Sequence, residues 1–304
     1  MKLDVIRYRF VTFAISGIVV GLSVLILLVF GLKPGIDFTG GSLLEVSFAG
    51  ERPSLSHVQD AVAGVPVGAV LVQPVDEDSM ILKTRFITEA EHQELLLALR
   101  TAFETENRKV YEDRLETIGP AVSANLRERA IWAGIMVILG IVAYIAYSFR
   151  HVSLPVQSWK YGVVSIVALI HNIVTVAGVF ALLGHFKGVE VDIQFMVALL
   201  TILGYSVNDT IVVFDRIREN LIRHGRGNFA EVVNYGVNET LMRSLNISFA
   251  ILLVLLALFF FGGTTIHYFS LALIIGTLVG SYTSIFFAAP LLAAWESWGR
   301  RRRV

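Results

Sequence analysis

Residues 193–214, IQFMVALLTILGYSVNDTIVVF, carry one formal charge, Asp209, in 22 positions. At 1.5 Å of rise per residue a helix of this length crosses the roughly 30 Å hydrocarbon core of a bilayer. The same signal recurs on both sides. Phe10 to Leu32 is a run of 23 residues without a charge, and Ala130 to Phe149 is a run of 20. Tyr161 to Phe186 holds no Lys, Arg, Asp or Glu. Ser244 to Trp295 is a 52-residue run without formal charge, too long for one helix and right for two. Gly262 and Gly263, followed by Thr264 and Thr265, mark the break between them. The pattern predicts six spans.

Composition points the same way. Of 304 residues, 55% are hydrophobic and 16% charged, where a soluble domain has about 25% charged. Mean hydropathy is +0.68. Disorder is excluded, and the composition argues against a simple soluble globule. The net charge of zero is a cancellation, because residues 33–129 hold 10 basic and 16 acidic groups and the remainder holds 15 and 9. Cysteine is absent, which excludes disulfides, thiolate metal sites, iron–sulfur ligation and a Cys nucleophile.

Orientation follows from Lys and Arg near the span ends. Lys2, Arg7, Arg9, Arg150, Lys160, Arg216, Arg218, Arg223, Arg226, Arg243 and Arg300 to Arg303 fall on one side, against Lys187 alone in the short loops of the other. Both termini are therefore expected inside and residues 33–129 outside. The first span exceeds a typical signal-peptide core and lacks a small-x-small cleavage site, so it reads as an uncleaved signal anchor. The arginine-rich tail reads as a topology determinant, with no nucleic-acid partner. The chain divides into an inside N-terminus and first span (1–32), an outer domain (33–129), a bundle of spans two to six (130–295) with an inside loop at about 215–243, and a basic tail (296–304).

Within the outer domain, Leu44, Val46 and Phe48 alternate with polar neighbours, the period of a half-buried strand. A helix fits Leu55 to Val62, and Val67 to Val75 and Met80 to Ile87 read as strands around the acidic turn Asp76, Glu77, Asp78. Thr88 and Glu91 form a capping box that opens a helix to about Phe103, and Lys109 to Ile118 closes with a strand. The order β-α-β-β-α-β is ferredoxin-like. The predicted fold class is thus a polytopic α-helical membrane protein with an α+β ferredoxin-like extracytoplasmic domain between helices one and two.

No P-loop, dinucleotide fingerprint or HExxH is present, so nucleotide hydrolysis is not expected as an energy source and no enzyme activity is predicted. Chemistry is sought instead among polar residues inside the spans. Asp209 lies about two thirds of the way through its span, where an ionised carboxylate costs a few kcal/mol and usually faces a bundle interior or wet cavity. A carboxyl withdrawn from water is suited to load and release a proton; the alternative is a protonated or hydrogen-bonded Asp that only fixes helix packing, a role that Asn would serve without the charge penalty. Tyr205 and Ser206 lie on the same helix face. His171, Asn172 and Thr175 from span three and Thr277, Ser281 and Ser284 from span six could line a hydrated path, or, taken singly, hold helices together. Gly17 with Gly21 and Gly276 with Gly280 are small-xxx-small packing pairs. Arg243 opens span five, where it either snorkels to the inner surface or turns into the bundle. An intramembrane aspartyl protease would need paired carboxylates, and Asp209 stands alone.

Several stretches resemble a known family. GIDFTGG (35–41) leaves the first span and SVNDTIVVFDRIREN (206–220) runs out of the fourth. TLMRSLNIS (240–248) opens the fifth, and Gly119-Pro120 precedes the second. Together they resemble the signatures of the SecF family, a subunit of the bacterial SecDF protein-export complex in the RND superfamily of proton-driven transporters. The likeness covers nearly the whole chain; the motif residues include Asp37, Phe38, Thr39, Gly40, Gly41, Asn208, Thr210, Asp215 and Arg216. Ser244 stands where the family often has Thr, and Gly236 where Ser is frequent.

The resemblance implies proton-motive-force-driven assistance to late-stage Sec-dependent export across the bacterial cytoplasmic (inner) membrane. It implies SecD as the partner half, beside the SecYEG channel and SecA motor, with a translocating polypeptide as cargo and lipids as surroundings. It assigns proton transfer to Asp209 and Arg243, with release of one from the other as the switching event. Protons are the expected coupling ion, sodium being the other candidate, and no cofactor or metal is implied. An RND-type half that exports a small molecule or lipid, and a scaffold that only stabilises the channel, are the alternatives.

Overall fold

A computed structural model describes residues 3–75, 77–105, 108–148, 157–224 and 228–301. Lys2, Asp76, Arg150, Arg226, Arg302 and Arg303, invoked above, lie outside the described residues. The chain forms two compact units, Met1–Lys33 with Trp132–Val304, and Pro34–Ile131. Helix α1, Arg9–Phe30, belongs to the first.

The smaller unit opens with a single helical turn α2, Ile36–Thr39, then β1, Gly41–Phe48, α3, Leu55–Val62, β2, Leu71–Pro74, β3, Ser79–Thr84, α4, Glu89–Phe103, and β4, Val110–Ile118. The sheet order is β2-β3-β1-β4 with every neighbouring pair antiparallel. Alternation in β1 buries Leu44, Val46 and Phe48 against Val58 and Val62 of α3 and Leu95, Leu96 and Leu99 of α4. Two strands are shorter than the apolar runs that predicted them. Gly68 adopts φ +78°, which delays β2 to Leu71. β3 stops at Thr84, which pairs with Ser42 at the start of its partner strand β1, and the Arg85 guanidinium that follows bonds the Pro66 and Phe86 carbonyls and the Glu91 carboxylate.

The glycine pair has a steric reason. Gly41 sits at φ +138°, and a Cβ there would lie 2.7 Å from the Thr84 carbonyl oxygen. Gly40, at φ +74°, has Ser123 Oγ where a Cβ would come within 3.2 Å. No other residue fits both positions without moving backbone.

The capping box forms as predicted. The Thr88 side chain accepts from the Glu91 N–H, and the Glu91 carboxylate accepts from the Thr88 N–H at 2.8 Å. Hydrogen bonds from Arg85 and Thr88 hold the Glu91 carboxyl at about 2, below its ordinary 4.5. A carboxyl depressed in this way stabilises the fold above about pH 4.5 and loses that contribution as pH falls toward 2. Hydrogen exchange across residues 88–103 is therefore expected to lose protection through that acid window in the parent protein. In Glu91→Gln protection is lower at neutral pH and flat across the window.

The larger unit continues with α5, Pro120–Ser148, whose N-terminal part lies in the smaller unit, then α6, Ser158–Lys187, α7, Ile193–His224, α8, Phe229–Phe261, and α9, Thr264–Tyr282. A π-helical turn, Thr283–Ala288, joins α9 to α10, Ala289–Arg301. Six segments among these are long and apolar enough to span a membrane, matching the six predicted spans. α5 starts ten residues before its predicted span, with Pro120 at the first helical position, where its missing N–H costs nothing.

The segment 215–243, expected as a loop, is largely helical. α7 and α8 extend beyond their apolar runs because Phe214, Ile217 and Leu221 pack on Val232, Val233 and Val237. Arg216 bridges Glu239 at 2.7 Å, Glu239 also accepts from Asn220 at 2.6 Å, and the Asn228 side chain caps α8 through the Ala230 N–H. Asn238 clasps the Leu3 backbone from both sides, accepting from its N–H at 2.8 Å and donating to its carbonyl at 2.7 Å.

Buried small residues set the helix spacing. A Cβ on Gly178 would strike Ser23 of α1, and one on Gly276 would overlap Ile202 of α7. Gly17 and Gly21, expected as a packing pair, face outward with no atom within 4 Å among the described residues, because the inward stripe of α1 is Thr12, Ser16 and Ser23. Gly276→Val is expected to cost about 1–3 kcal/mol by overpacking, with partial recovery in Gly276→Val/Ile202→Ala, read by thermal unfolding of the full chain in detergent.

Candidate functional site

Four helical segments bring hydroxyl, amide, imidazole and carboxyl groups into the middle of the bundle. α7 supplies Tyr205, Ser206, Asp209 and Thr210, spaced so that one face carries all four. α6 supplies His171 and Asn172, α8 supplies Ser244 and Ser248, and the last span supplies Thr277, Ser281, Thr283 and Ser284. Apart from Tyr205, each of these residues is buried.

Asp209 is anchored by one oxygen. Ser244 Oγ donates to its Oδ1 at 2.6 Å, Ser284 approaches the same carboxyl, and Oδ2 has no hydrogen-bond partner among the described residues. A carboxyl held this way takes up a proton on the open oxygen without losing its anchor. From Ser244 the network continues: Ser248 Oγ donates to the Ser244 carbonyl at 2.8 Å and contacts Tyr205 Oη and Ser281 Oγ, both at 2.6 Å. Ser281 in turn donates to the Thr277 carbonyl.

A second branch joins α6 to α7 and the last span. Asn172 Nδ2 donates to Ser206 Oγ at 2.5 Å, and Thr283 Oγ1 donates to Asn172 Oδ1 at 2.7 Å. Thr210 and Ser284 share a hydrogen bond at 2.9 Å. The π-helical turn widens the helix here, so that the adjacent Thr283 and Ser284 are both fully buried and both face this network.

The expected pair between Asp209 and Arg243 is not formed. Arg243 is exposed on α8, whereas the next residue, Ser244, is turned inward by the helical step and takes the contact with the carboxyl. Glu239, one turn before Arg243, bonds Arg216 instead. Asn208 faces outward, into a groove shared with Gly140, Tyr144 and Gly204. Asp215 pairs with Arg218 at 3.3 Å at the end of α7. Asp37, Phe38, Thr39, Gly40 and Gly41 belong to the smaller unit, where Thr39 Oγ1 donates to the Gly35 carbonyl at 3.0 Å.

Three features escaped the sequence. Ser248 was legible as a hydroxyl four residues after Ser244, one helical turn along the same face. Thr283 was not, because the run Tyr282 to Phe287 carries no periodic pattern that separates an inward hydroxyl from an outward one. The Lys160–Glu296 pair, 2.9 Å apart and mostly buried, joins the start of α6 to α10. From the sequence alone Lys160 reads only as a topology charge. No three His, Asp or Glu side chains gather as a metal site among the described residues.

These features describe a multi-pass helical membrane protein with a buried carboxyl inside a polar cluster. A family model for the SecD/SecF protein-export membrane protein, C-terminal, matches residues 98–298, and the SecD/SecF GG motif matches residues 25–50. A protein translocase subunit SecF from Thermobaculum terrenum is 40% identical over 309 residues, with 97% of this chain and 94% of that protein covered. A protein translocase subunit SecDF from Brucella abortus is 32% identical, covering 94% of this chain and 36% of its own length. The crystal structure of SecDF from Thermus thermophilus, a translocon-associated membrane protein, superposes with a TM-score of 0.83 at 31% identity. That comparison covers 98% of this chain and 39% of the other. The chain belongs to the SecF family of the SecD/SecF protein-export proteins. It thus spans well under half of the fused SecDF chains and almost all of the separate SecF relatives.

Ser244→Ala leaves a buried carboxylate oxygen without its donor, an expected loss of about 1–3 kcal/mol. Ser244→Thr keeps the hydroxyl and is expected to retain most of that stability. Thermal unfolding of both variants in detergent checks the difference.

Proposed function

We propose that this chain is an auxiliary subunit of a bacterial protein translocase that couples proton flow to the late stage of Sec-dependent export. The observation that carries the reading is the buried Asp209 carboxyl, anchored through one oxygen by Ser244 and open at the other, in a chain of the SecF family. The fused SecDF relatives support SecD as the second half of the assembly. SecYEG and SecA enter as the channel and motor beside it, with an extended polypeptide as cargo.

The β-α-β-β-α-β order and the strand order β2-β3-β1-β4 support a ferredoxin-like outer domain. Basic residues at the expected inside ends support cytoplasmic termini in the inner membrane. In the proposed cycle a proton from outside neutralises Asp209, the Ser244 and Ser284 contacts rearrange, and the last span shifts at its π-helical turn. Movement of the bundle is passed to the outer domain, which holds the emerging chain. One charge that crosses 100 mV supplies about 2.3 kcal/mol, so a few protons per cycle bias such a motion. Arg243, exposed in the single chain, is assigned to the surface that the SecD half covers, where it tunes the proton step. A depression in the smaller unit is lined by Gly50, Glu51, Glu77 and Asp78, a polar surface that favours polypeptide over a lipid or apolar small molecule.

Asp209→Asn keeps the side-chain shape and removes the proton. It is expected to abolish gradient-dependent export in vesicles that carry the whole translocase, while membrane insertion and co-purification with SecD persist. Normal gradient-dependent export by that variant contradicts the proposal, and so does a scaffold that is indifferent to the substitution.

A further inference from the structure

His171 is 4% exposed, sits on α6 within the same polar cluster, and has a hydrogen-bonding pattern that fixes its tautomer. Its Nδ1 lies 3.3 Å from Asn172 Oδ1 and 3.4 Å from Thr283 Oγ1. Asn172 presents its oxygen there because its Nδ2 is committed to Ser206 Oγ. Thr283 presents a lone pair there because its proton goes to Asn172 Oδ1 or to the Val279 carbonyl. Two acceptors facing Nδ1 require that Nδ1 carry the hydrogen. In the neutral ring Nε2 then holds a lone pair, and this buried nitrogen has no partner among the described residues.

Such a ring accepts a proton at Nε2 without giving up a hydrogen bond. Among the described residues, the groups that contact His171 carry no charge: Asn172 and Thr175 from α6, and Thr283 and Phe287 from the last span. The carboxylate of the cluster is Asp209, reached through the residue after Thr283, because Ser284 approaches its carboxyl. Adjacent residues of one π-helical turn therefore face the two groups: Thr283 contacts the imidazole, and Ser284 bonds Thr210, the residue after Asp209. An imidazolium and a carboxylate so joined support each other's charge in a medium that penalises either alone.

We propose that His171 is a second proton-binding group of the site, loaded at Nε2 and coupled to Asp209 through the π-helical turn at Thr283 and Ser284. The inference rests on the proton-coupled reading of Asp209 and adds a second proton carrier to it. The test is the nitrogen spectrum of ¹⁵N-histidine in the full chain in lipid nanodiscs, between about pH 5 and 8. His171→Asn assigns the signal; its amide preserves a donor toward Asn172 and removes Nε2.

The expected result is a change from an Nδ1–H neutral ring to an imidazolium within that range, with a midpoint that differs between the parent chain and Asp209→Asn. In the whole translocase, His171→Asn is expected to export with a pH profile that has lost one limb. A structural histidine moves neither readout. A ring that stays neutral throughout, or a midpoint that coincides in the two chains, overturns the inference. Loss of gradient-dependent export in Asp209→Asn alongside a neutral His171 overturns this inference alone. Unimpaired export in Asp209→Asn overturns the reading beneath it.

Discussion

A carboxyl group placed where water is scarce must find partners or lose its charge, and in this protein that constraint organises the bundle around Asp209. Ser244 on α8 satisfies one oxygen, which fixes the rotation of α8 about its axis and turns Arg243 outward. Ser284 approaches from the last span, and the π-helical turn that brings it inward brings Thr283 inward as well. Close approach between these helices needs small residues, and Gly276 against Ile202 and Gly280 against Ser206 provide it. The polar cluster and the tight packing are two consequences of one requirement. Helices that carry hydroxyls inward must come near enough for those hydroxyls to reach one another.

Charge spacing alone made the six membrane-length helices legible. Uncharged runs of bilayer length identify spans because every charge left in hydrocarbon costs several kcal/mol, a penalty too large for tertiary context to hide. The smaller unit was legible for a different reason. Leu44, Val46 and Phe48 obey a period of two, and Thr88 with Glu91 specifies a helix start by local hydrogen bonds. Asp209 stood out as the one charge within its span. Tyr205, Thr277 and Ser281 meet in one hydrogen-bonded branch through Ser248, and Ser206, His171 and Asn172 meet in the other.

What the sequence concealed depends on geometry between helices. Arg243 and Ser244 are neighbours in the chain, and only the packing of α8 decides which of them meets Asp209. Thr283 lies in a π-helical turn, a local departure from α-helical geometry that apolar periodicity does not encode. The length of α7 and α8 beyond the membrane was hidden by their charges, which mark an inside segment but equally decorate a helix. There Phe214, Ile217 and Val233 hold the two extensions together. The glycine pair 40–41 was legible as a motif, while its cause, the approach of the Thr84 carbonyl and Ser123, required coordinates.

Proton occupancy of Asp209 is the central claim, and infrared difference spectroscopy of the full chain between acidic and neutral pH measures it most directly. A protonated carboxyl buried in the bundle gives a carbonyl stretch that appears on acidification, shifts in deuterated water and is absent from Asp209→Asn. A spectrum in which that band is missing, or persists unchanged in Asp209→Asn, contradicts the claim that this carboxyl carries the proton.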